Sequence, residues 1–261
     1  MENLENVEDV RRSKEYGKYM EEIGWRVDGG IFVRRLGPVA IAKIQRAELP
    51  TNWEKILKRN RVIMCKLEPL TKLVGWKQDN WPLLGTKTLR VDLGQSESKL
   101  FNSFKKDCRY TIRKCSMFNI QCSINKFYKF YEIWRKSARR KNLWIPSEKE
   151  YKALVECFGK KCFCVIAGDE AGAVILMHDK TAYYYYAGAT KEGNEKNLPY
   201  LVVWEAMKEA RRKGCKIWDF EGVYDFRWPS KSWKGFSHFK KSFGGYEVEF
   251  PGCFTKWLWP L

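Results

Sequence analysis

A chain of 261 residues with 44% hydrophobic and 15% aromatic residues can bury a sizeable core, which excludes an intrinsically disordered protein. Its 49 Lys and Arg against 31 Asp and Glu leave a formal net charge of +18, which points to a polyanionic partner: nucleic acid, a phosphorylated substrate or an anionic membrane surface. Nine scattered cysteines without a CxxC pair, and only two histidines, His178 and His238, argue against a zinc site; reduced thiols in a cytosolic protein fit best.

The opening residues, MENLENVEDV, are acidic and polar, unlike a signal peptide. No apolar run approaches the length of about 18 residues that a membrane-spanning helix needs. Val10 to Ile23 reads as a helix closed by Gly24. Trp25 to Val27 and Ile31 to Arg35 read as strands around the turn Asp28-Gly29-Gly30, and Val39 to Ile44 as another. Trp53 to Arg59 is helical and Val62 to Leu67 is a buried strand. A turn-rich loop, Gly75 to Gly85, carries Trp76 and Trp81. Leu89 to Leu93 then alternates as a strand.

Ser96 is placed to cap a helix from Glu97 to Met117. Leu100, Phe104, Cys108 and Ile112 recur every four residues and give it an apolar face. Lys105, Arg109 and Arg113 form a second row at the same spacing. Stacked like charges cost a few tenths of a kcal/mol per pair, which an anionic partner would offset; the plainer reading is a solvated face. The stretch from Phe101 to Lys160 carries fifteen Lys or Arg and five Asp or Glu, so more than half of the excess charge is concentrated there.

Phe127 to Arg140 is a basic, aromatic helix, and Tyr151 to Phe158 another. Phe163 to Ala167, Ala173 to His178 and Ala182 to Ala187 form an antiparallel meander. The lone CxC, Cys162 and Cys164, falls on one face of its first strand. Asn197 is placed to cap the next helix, with Pro199 in its first turn and Gly214 after its basic end. Ile217 to Phe220 and Tyr246 to Phe250 are the last strands. This order, helices, meander, helix, strand, loop, strand, predicts an α+β acyltransferase fold of the GNAT kind, and the amino-terminal third repeats it in rougher form. The fold class is therefore α+β with tandem GNAT-like domains, the first reduced. The expected division is 1–117, 118–252 and a tail, 253–261, that packs back on the first domain.

One stretch stands out chemically: GFSHFKKSFGGYEVEFPG, residues 235–252. Two lysines sit between phenylalanines and run into Gly244-Gly245, and no acid occurs from Arg227 to Tyr246. By itself it reads equally as a basic surface hairpin with packed phenylalanines.

Three stretches in order resemble the Fem family of peptidoglycan bridge-forming aminoacyltransferases. The first is Thr88-Leu89-Arg90-Val91-Asp92-Leu93 with the helix Cys108-Arg109-Tyr110-Thr111-Ile112-Arg113-Lys114. The second is Tyr183 to Thr190, then Leu198-Pro199-Tyr200-Leu201 to Trp204, and Gly214 to Gly222. The third is the Phe-Lys-Lys-x-Phe-Gly-Gly of the stretch above, Phe239 to Gly245. The resemblance covers about Leu89 to Gly252 well and the first eighty residues loosely. It implies transfer of an amino acid from aminoacyl-tRNA to an amine on the stem peptide of a nucleotide-linked or lipid-linked peptidoglycan precursor. The setting would be the cytoplasm, with peripheral contact at the inner membrane face for a lipid-linked acceptor. No cofactor is implied. A tRNA body is itself a polyanion, which fits the charge.

Position by position, the resemblance makes Lys240 the family lysine, stabilising the oxyanion of ester aminolysis or the terminal ribose-phosphate. Phe239 would stack on the acceptor end and Lys241 would join it; Lys105, Arg109 and Arg113 would meet the tRNA backbone. Lys196 and Tyr200, with Tyr186 and Lys18 as weaker candidates, would hold the precursor. Where the family has Arg, Lys196 keeps the charge and loses the bidentate geometry. Where the family often has Gly, this chain has Glu221. Asp219 and Glu221 are candidate proton acceptors, though Asp219 is better read as satisfying backbone groups at a strand end. Ser237 and His238 form no catalytic pair, since no third group is found for them. The chain is short for the family and reads as a minimal form. Two other readings compete: an acyl-CoA N-acyltransferase, disfavoured because no Gly-rich phosphate turn precedes the Asn197 helix, and a non-catalytic RNA-binding protein, in which Lys196, Tyr200 and Lys240 would matter only as charges.

Overall fold

The computed structural model describes residues 8–73, 75–117, 120–230 and 232–258. A 3-10 turn, Val10–Arg12, precedes α1 (Lys14–Glu22), β1 (Arg26–Asp28), β2 (Ile31–Leu36), β3 (Val39–Gln45), α2 (Trp53–Arg59), β4 (Val62–Glu68), β5 (Lys77–Asp79) and β6 (Lys87–Asp92). Then come α3 (Glu97–Ser103), α4 (Lys106–Met117), β7 (Cys122–Ile124), α5 (Phe127–Arg140), α6 (Glu148–Phe158), β8 (Cys162–Ala167), β9 (Ala171–His178) and β10 (Thr181–Ala189). The remainder is α7 (Lys191–Glu195), α8 (Leu198–Arg212), β11 (Ile217–Asp219), α9 (Ser232–Lys241), β12 (Tyr246–Glu249) and β13 (Cys253–Trp257).

Two sheets organise these elements, in the orders β1-β2-β3-β4-β13-β5 and β12-β6-β11-β10-β9-β8-β7. This is the tandem GNAT-like α+β fold expected, with a smaller first half. The meander β8-β9-β10 is antiparallel, and α8 crosses over to set β11 parallel to β10. Alternation along β8 separates two cores. Phe163, Val165 and Ala167 pack with α4 and α8, whereas Cys162, Cys164 and Ile166 pack with α5 and α6. A third cluster, from Ile31 to Leu67, fills the first sheet. All nine cysteines are free thiols and seven are buried; burial pushes the Cys164 thiol up to about 12.

Several boundaries differ from the sequence reading. The long helix from Glu97 is two helices, because Phe104 turns to extended backbone and Lys105 donates its N–H to Ser242 O at 2.9 Å. The first helix restarts at Ser13, whose hydroxyl caps α1 by accepting from Tyr16 N. Asn197 occupies the N-cap of α8 in the left-handed region, φ 57°, without a side-chain cap bond. The sheets also divide the chain differently from the expected boundary at 117. β6 pairs with β11 and β12, and α3 and α4 bury Leu100, Phe104 and Cys108 in the second core. β13 pairs with β4 and β5 in the first sheet.

Candidate active site

The site is built where β11 ends. Asp219 is buried and fully engaged: its carboxylate accepts from Thr88 Oγ1 at 2.5 Å, Arg90 Nε at 2.9 Å and the Glu221 N–H at 2.8 Å. It therefore fixes the bend after the strand, as read from the sequence, with two bonds on Oδ1 and one on Oδ2. The bend turns the carbonyls of Phe220 and Gly222 toward α9. The Lys240 ammonium donates to both, at 2.7 Å each.

The stretch read as a hairpin is thus a helix in its first half. α9 is pinned by Ser237, whose hydroxyl donates to Trp233 O and accepts from Tyr224 N, both at 2.6 Å. The helix ends in Gly244-Gly245, with φ of 71° and 89°. A Cβ at Gly245 would lie 2.2 Å from the Arg90 carbonyl oxygen, so only glycine lets the chain slip under β6 into β12.

Lys240 is half-buried. Its ammonium lies 4.9 Å from the Phe236 ring centroid and 6.0 Å from that of Tyr184. Burial lowers its pKa to about 8, against the opposing pull of Glu221 and Asp219. Among the described residues it has no ion-pair partner, and its two carbonyl bonds leave one of three N–H groups for a ligand. Tyr184 and Phe236 continue, with Gly188, Asn197, Tyr200 and Phe239, into a cavity of about 300 Å³. Gly188 lets β10 pack closely on α5 behind the cavity, since a Cβ there would come within 2.9 Å of the Trp134 backbone. Phe239 meets the Tyr200 ring edge-on at 4.8 Å, and Tyr200 stacks on Phe243.

The structure therefore brings together Lys240, Phe239 and Tyr200, and separates the other sequence candidates from them. A β-bulge between Tyr184 and Tyr186 turns Tyr186 toward the other core, the same side as Tyr185. Tyr186 packs 4.2 Å from Trp134 and bonds Tyr19, and burial raises its hydroxyl far above the usual range. Lys18 is exposed on α1. Lys196 pairs with both oxygens of Glu170, at 3.0 and 3.1 Å. Lys241 pairs with Glu247 at 2.5 Å. In the basic row, Arg109 donates to Asn102 O and Phe104 O, closing the end of α3, and Arg113 lies 5.3 Å over Phe101. The Lys105 side chain is exposed.

A second charged group was missed in the sequence. Arg11, 5% exposed, binds Asp9 and grips both oxygens of Glu221. Burial raises the Glu221 carboxyl and the Arg11 guanidinium opposes that rise. Glu221 sits at φ 61°. Nearby, Lys43 lies 4.7 Å over Trp25 and is lowered to about 8 by burial, with Arg11 adding to the effect. The one signal in the sequence was Glu221 itself, in a place where the Fem pattern often has Gly.

The model of the FemAB family matches residues 168–261. The expected resemblance to the Fem family is borne out over this carboxy-terminal part. A crystal structure of FemX superposes with a TM-score of 0.80 at 13% identity, covering 97% of this chain and 93% of that one. The C-terminal domain of a putative lysylphosphatidylglycerol synthetase from Agrobacterium fabrum gives 0.62 at 11% identity, covering 94% and 87%. L-PGS from Bacillus licheniformis gives 0.59 at 9% identity, covering 92% and 86%. At these identities the structural likeness establishes a shared fold. No curated protein matches in sequence. Among the described residues, no helix is long and apolar enough to cross a membrane, and no group of three His, Cys, Asp or Glu converges to hold a metal. Chemically, the site offers an immobilised ammonium beside an aromatic cavity, an arrangement suited to an acyl carbonyl that becomes an oxyanion.

Proposed function

We propose that this chain is a Fem-like aminoacyltransferase that moves an amino acid from aminoacyl-tRNA to an amine on the stem peptide of a peptidoglycan precursor. The observation that carries this reading is the Lys240 ammonium, held by two carbonyls with one N–H left over and lying near the Phe236 and Tyr184 rings that line the aromatic cavity. The attacking amine forms a C–N bond to the ester carbonyl, and the carbonyl oxygen takes negative charge beside Lys240. Collapse breaks the C–O bond to the ribose, and the proton lost from the amine goes to the departing ribose oxygen. A preorganised ammonium at such an oxyanion contributes about 10²–10³ in rate. Phe239 would seat the acceptor end of the tRNA, because an aromatic face stacks on any base, and Tyr200 beside it would hold the precursor.

Lys196 and Lys241, held in ion pairs with Glu170 and Glu247, are secondary contacts in this scheme. Lys18, Lys105 and Arg113 remain solvent-accessible positions for phosphate. The acyl-CoA alternative is weakened by the segment before α8, which is the short helix α7 capped by Thr190 and holds no Gly-rich turn.

The test offers purified protein a panel of tRNAs, each charged with a different labelled amino acid, and a soluble nucleotide-linked muropeptide, with labelled acetyl-CoA in parallel. Transfer from one charged tRNA, lost in Lys240→Ala, is the expected result. Acetyl transfer instead would establish the acyl-CoA reading. Tight tRNA binding without transfer to either a nucleotide-linked or a lipid-linked acceptor would establish a binding protein.

A further inference from the structure

A groove of about 530 Å³ opens beside the segment that follows Gly222, with Val223 and Gly85 in its lining. That volume is within the range of roughly 300–1,000 Å³ typical of small-molecule sites. Trp81, Trp228 and Trp233 line it, together with Asn80, Ser230 and the Asp225–Arg227 pair. Gly222 touches residues of both sites. Its carbonyl holds the Lys240 ammonium, and its α-carbon face abuts Trp233, where a Cβ would come within 3.0 Å of the indole ring.

The groove is rigid, although its most prominent residue faces solvent. The Trp81 side chain stands 77% exposed. Its backbone is anchored at both ends: its N–H donates to Asp79 Oδ1 at 2.6 Å, and its carbonyl accepts from Lys66 Nζ at 2.5 Å. The next turn is tied down as well, since the buried Glu68 carboxylate accepts from the N–H groups of Leu83 and Leu84 at 2.7 Å each. Trp228 is set by its indole N–H on Asp79 O at 2.9 Å, with its ring against Gly252. An exposed indole on so firmly tethered a loop serves no packing need.

The lining is electrically balanced. Arg227 is spent on Asp225, with Nε at 3.0 Å and Nη2 at 2.7 Å from Oδ2. Among the described residues, a phosphate or carboxylate therefore finds no uncommitted cation in the groove. Indole faces carry the negative side of the ring quadrupole and attract the slightly positive C–H face of a neutral ring. The polar rim of Asn80 and Ser230 supplies hydrogen-bonding groups for hydroxyls. We infer that this groove is a saccharide subsite that takes a neutral N-acetylhexosamine ring on its tryptophan faces. The inference rests on the proposed reaction for its purpose, which is to orient the sugar part of a glycan-linked acceptor beside Lys240.

The test is calorimetric titration of the full chain with a β-1,4-linked trisaccharide of N-acetylglucosamine. Saturable binding is expected, weakened at least tenfold by Trp81→Ala and by Trp233→Ala. Trp257→Ala, an exposed tryptophan outside the groove, should bind as wild type. Absence of saturable binding, or wild-type affinity in Trp81→Ala, overturns the inference. So does a groove that binds vesicles of anionic phospholipid through Trp81 and not the sugar, because it would then be a membrane contact. Lys240→Ala should keep full sugar affinity. Sugar binding without any aminoacyl transfer would remove the proposed reaction and leave the subsite standing; transfer with no sugar binding would do the reverse.

Discussion

Two cations approach the same bend after β11 and have opposite fates. Arg11 is closed off: it is almost fully buried and locked onto Glu221 and Asp9. Lys240 is left open: it meets only the carbonyls of Phe220 and Gly222 and has no carboxylate partner among the described residues. A buried charge that is matched by its counter-charge fastens two parts of the molecule. A desolvated charge held by neutral dipoles retains electrostatic attraction for something that arrives later. The difference separates a structural ion pair from a candidate catalytic group, although both are basic residues in one small region.

The largest effect that would break this contrast is on stability. Arg11→Ala leaves Glu221 buried without a partner, and a loss of about 3–5 kcal/mol is expected in urea unfolding. Glu221→Gly in the same background should recover much of it, and a double-mutant cycle measures the coupling. If Arg11→Ala unfolds like wild type, the pair fastens nothing. Lys240→Ala should do the converse. On the proposed reading, transfer falls about 10²–10³-fold, while the unfolding midpoint hardly drops. Equal losses in stability for both variants would erase the distinction. Gly245→Ala should cost at least about 2 kcal/mol, because its Cβ meets the Arg90 carbonyl in a left-handed conformation; thermal unfolding reads this directly.

A smaller effect sharpens the contrast through pH. The folded pKa of Lys240, about 8, lies below its ordinary 10.5. Between those values the unfolded chain binds more protons, so wild-type stability rises with pH across that window relative to Lys240→Met. Transfer should decline over the same rise, since the ammonium is the active form. A rate that increases through pH 8 would assign Lys240 as a base. Smallest of all, Lys105→Ala and Arg113→Ala should each leave stability within about 0.5 kcal/mol and reduce the salt slope of tRNA binding by about one. Arg109→Ala should differ from its neighbours, because it closes the end of α3.

The residues at the bend show how far a sequence can be read. The meander, α5, α8 and the tandem plan were legible because their hydrophobic period is regular and their ends carry turn residues. Phe239, Tyr200 and Lys240 were legible because the Fem pattern places them in order. The helix α9 was hidden by its content: Gly235 interrupts it, and its amino-terminal turn carries no acidic residue. The break at Phe104 was hidden because it depends on Ser242, a partner 138 positions away from the break. Arg11 was hidden for the same reason; nothing local shows that a residue near the start of the chain will meet Glu221. The bulge that diverts Tyr186 from the cavity has no local signal in four consecutive tyrosines.

The position of β13 has a consequence for how the molecule comes into being. It fills the slot between β4 and β5, so the first sheet has its next-to-last strand supplied by residues 253–257. During synthesis the exposed edge of β4 must wait for almost two hundred further residues to leave the ribosome. Until then that edge is an open template for strands of other chains. The half made first is therefore completed last, and its protection in the interval falls to the second half, which can close its own sheet once β12 has emerged.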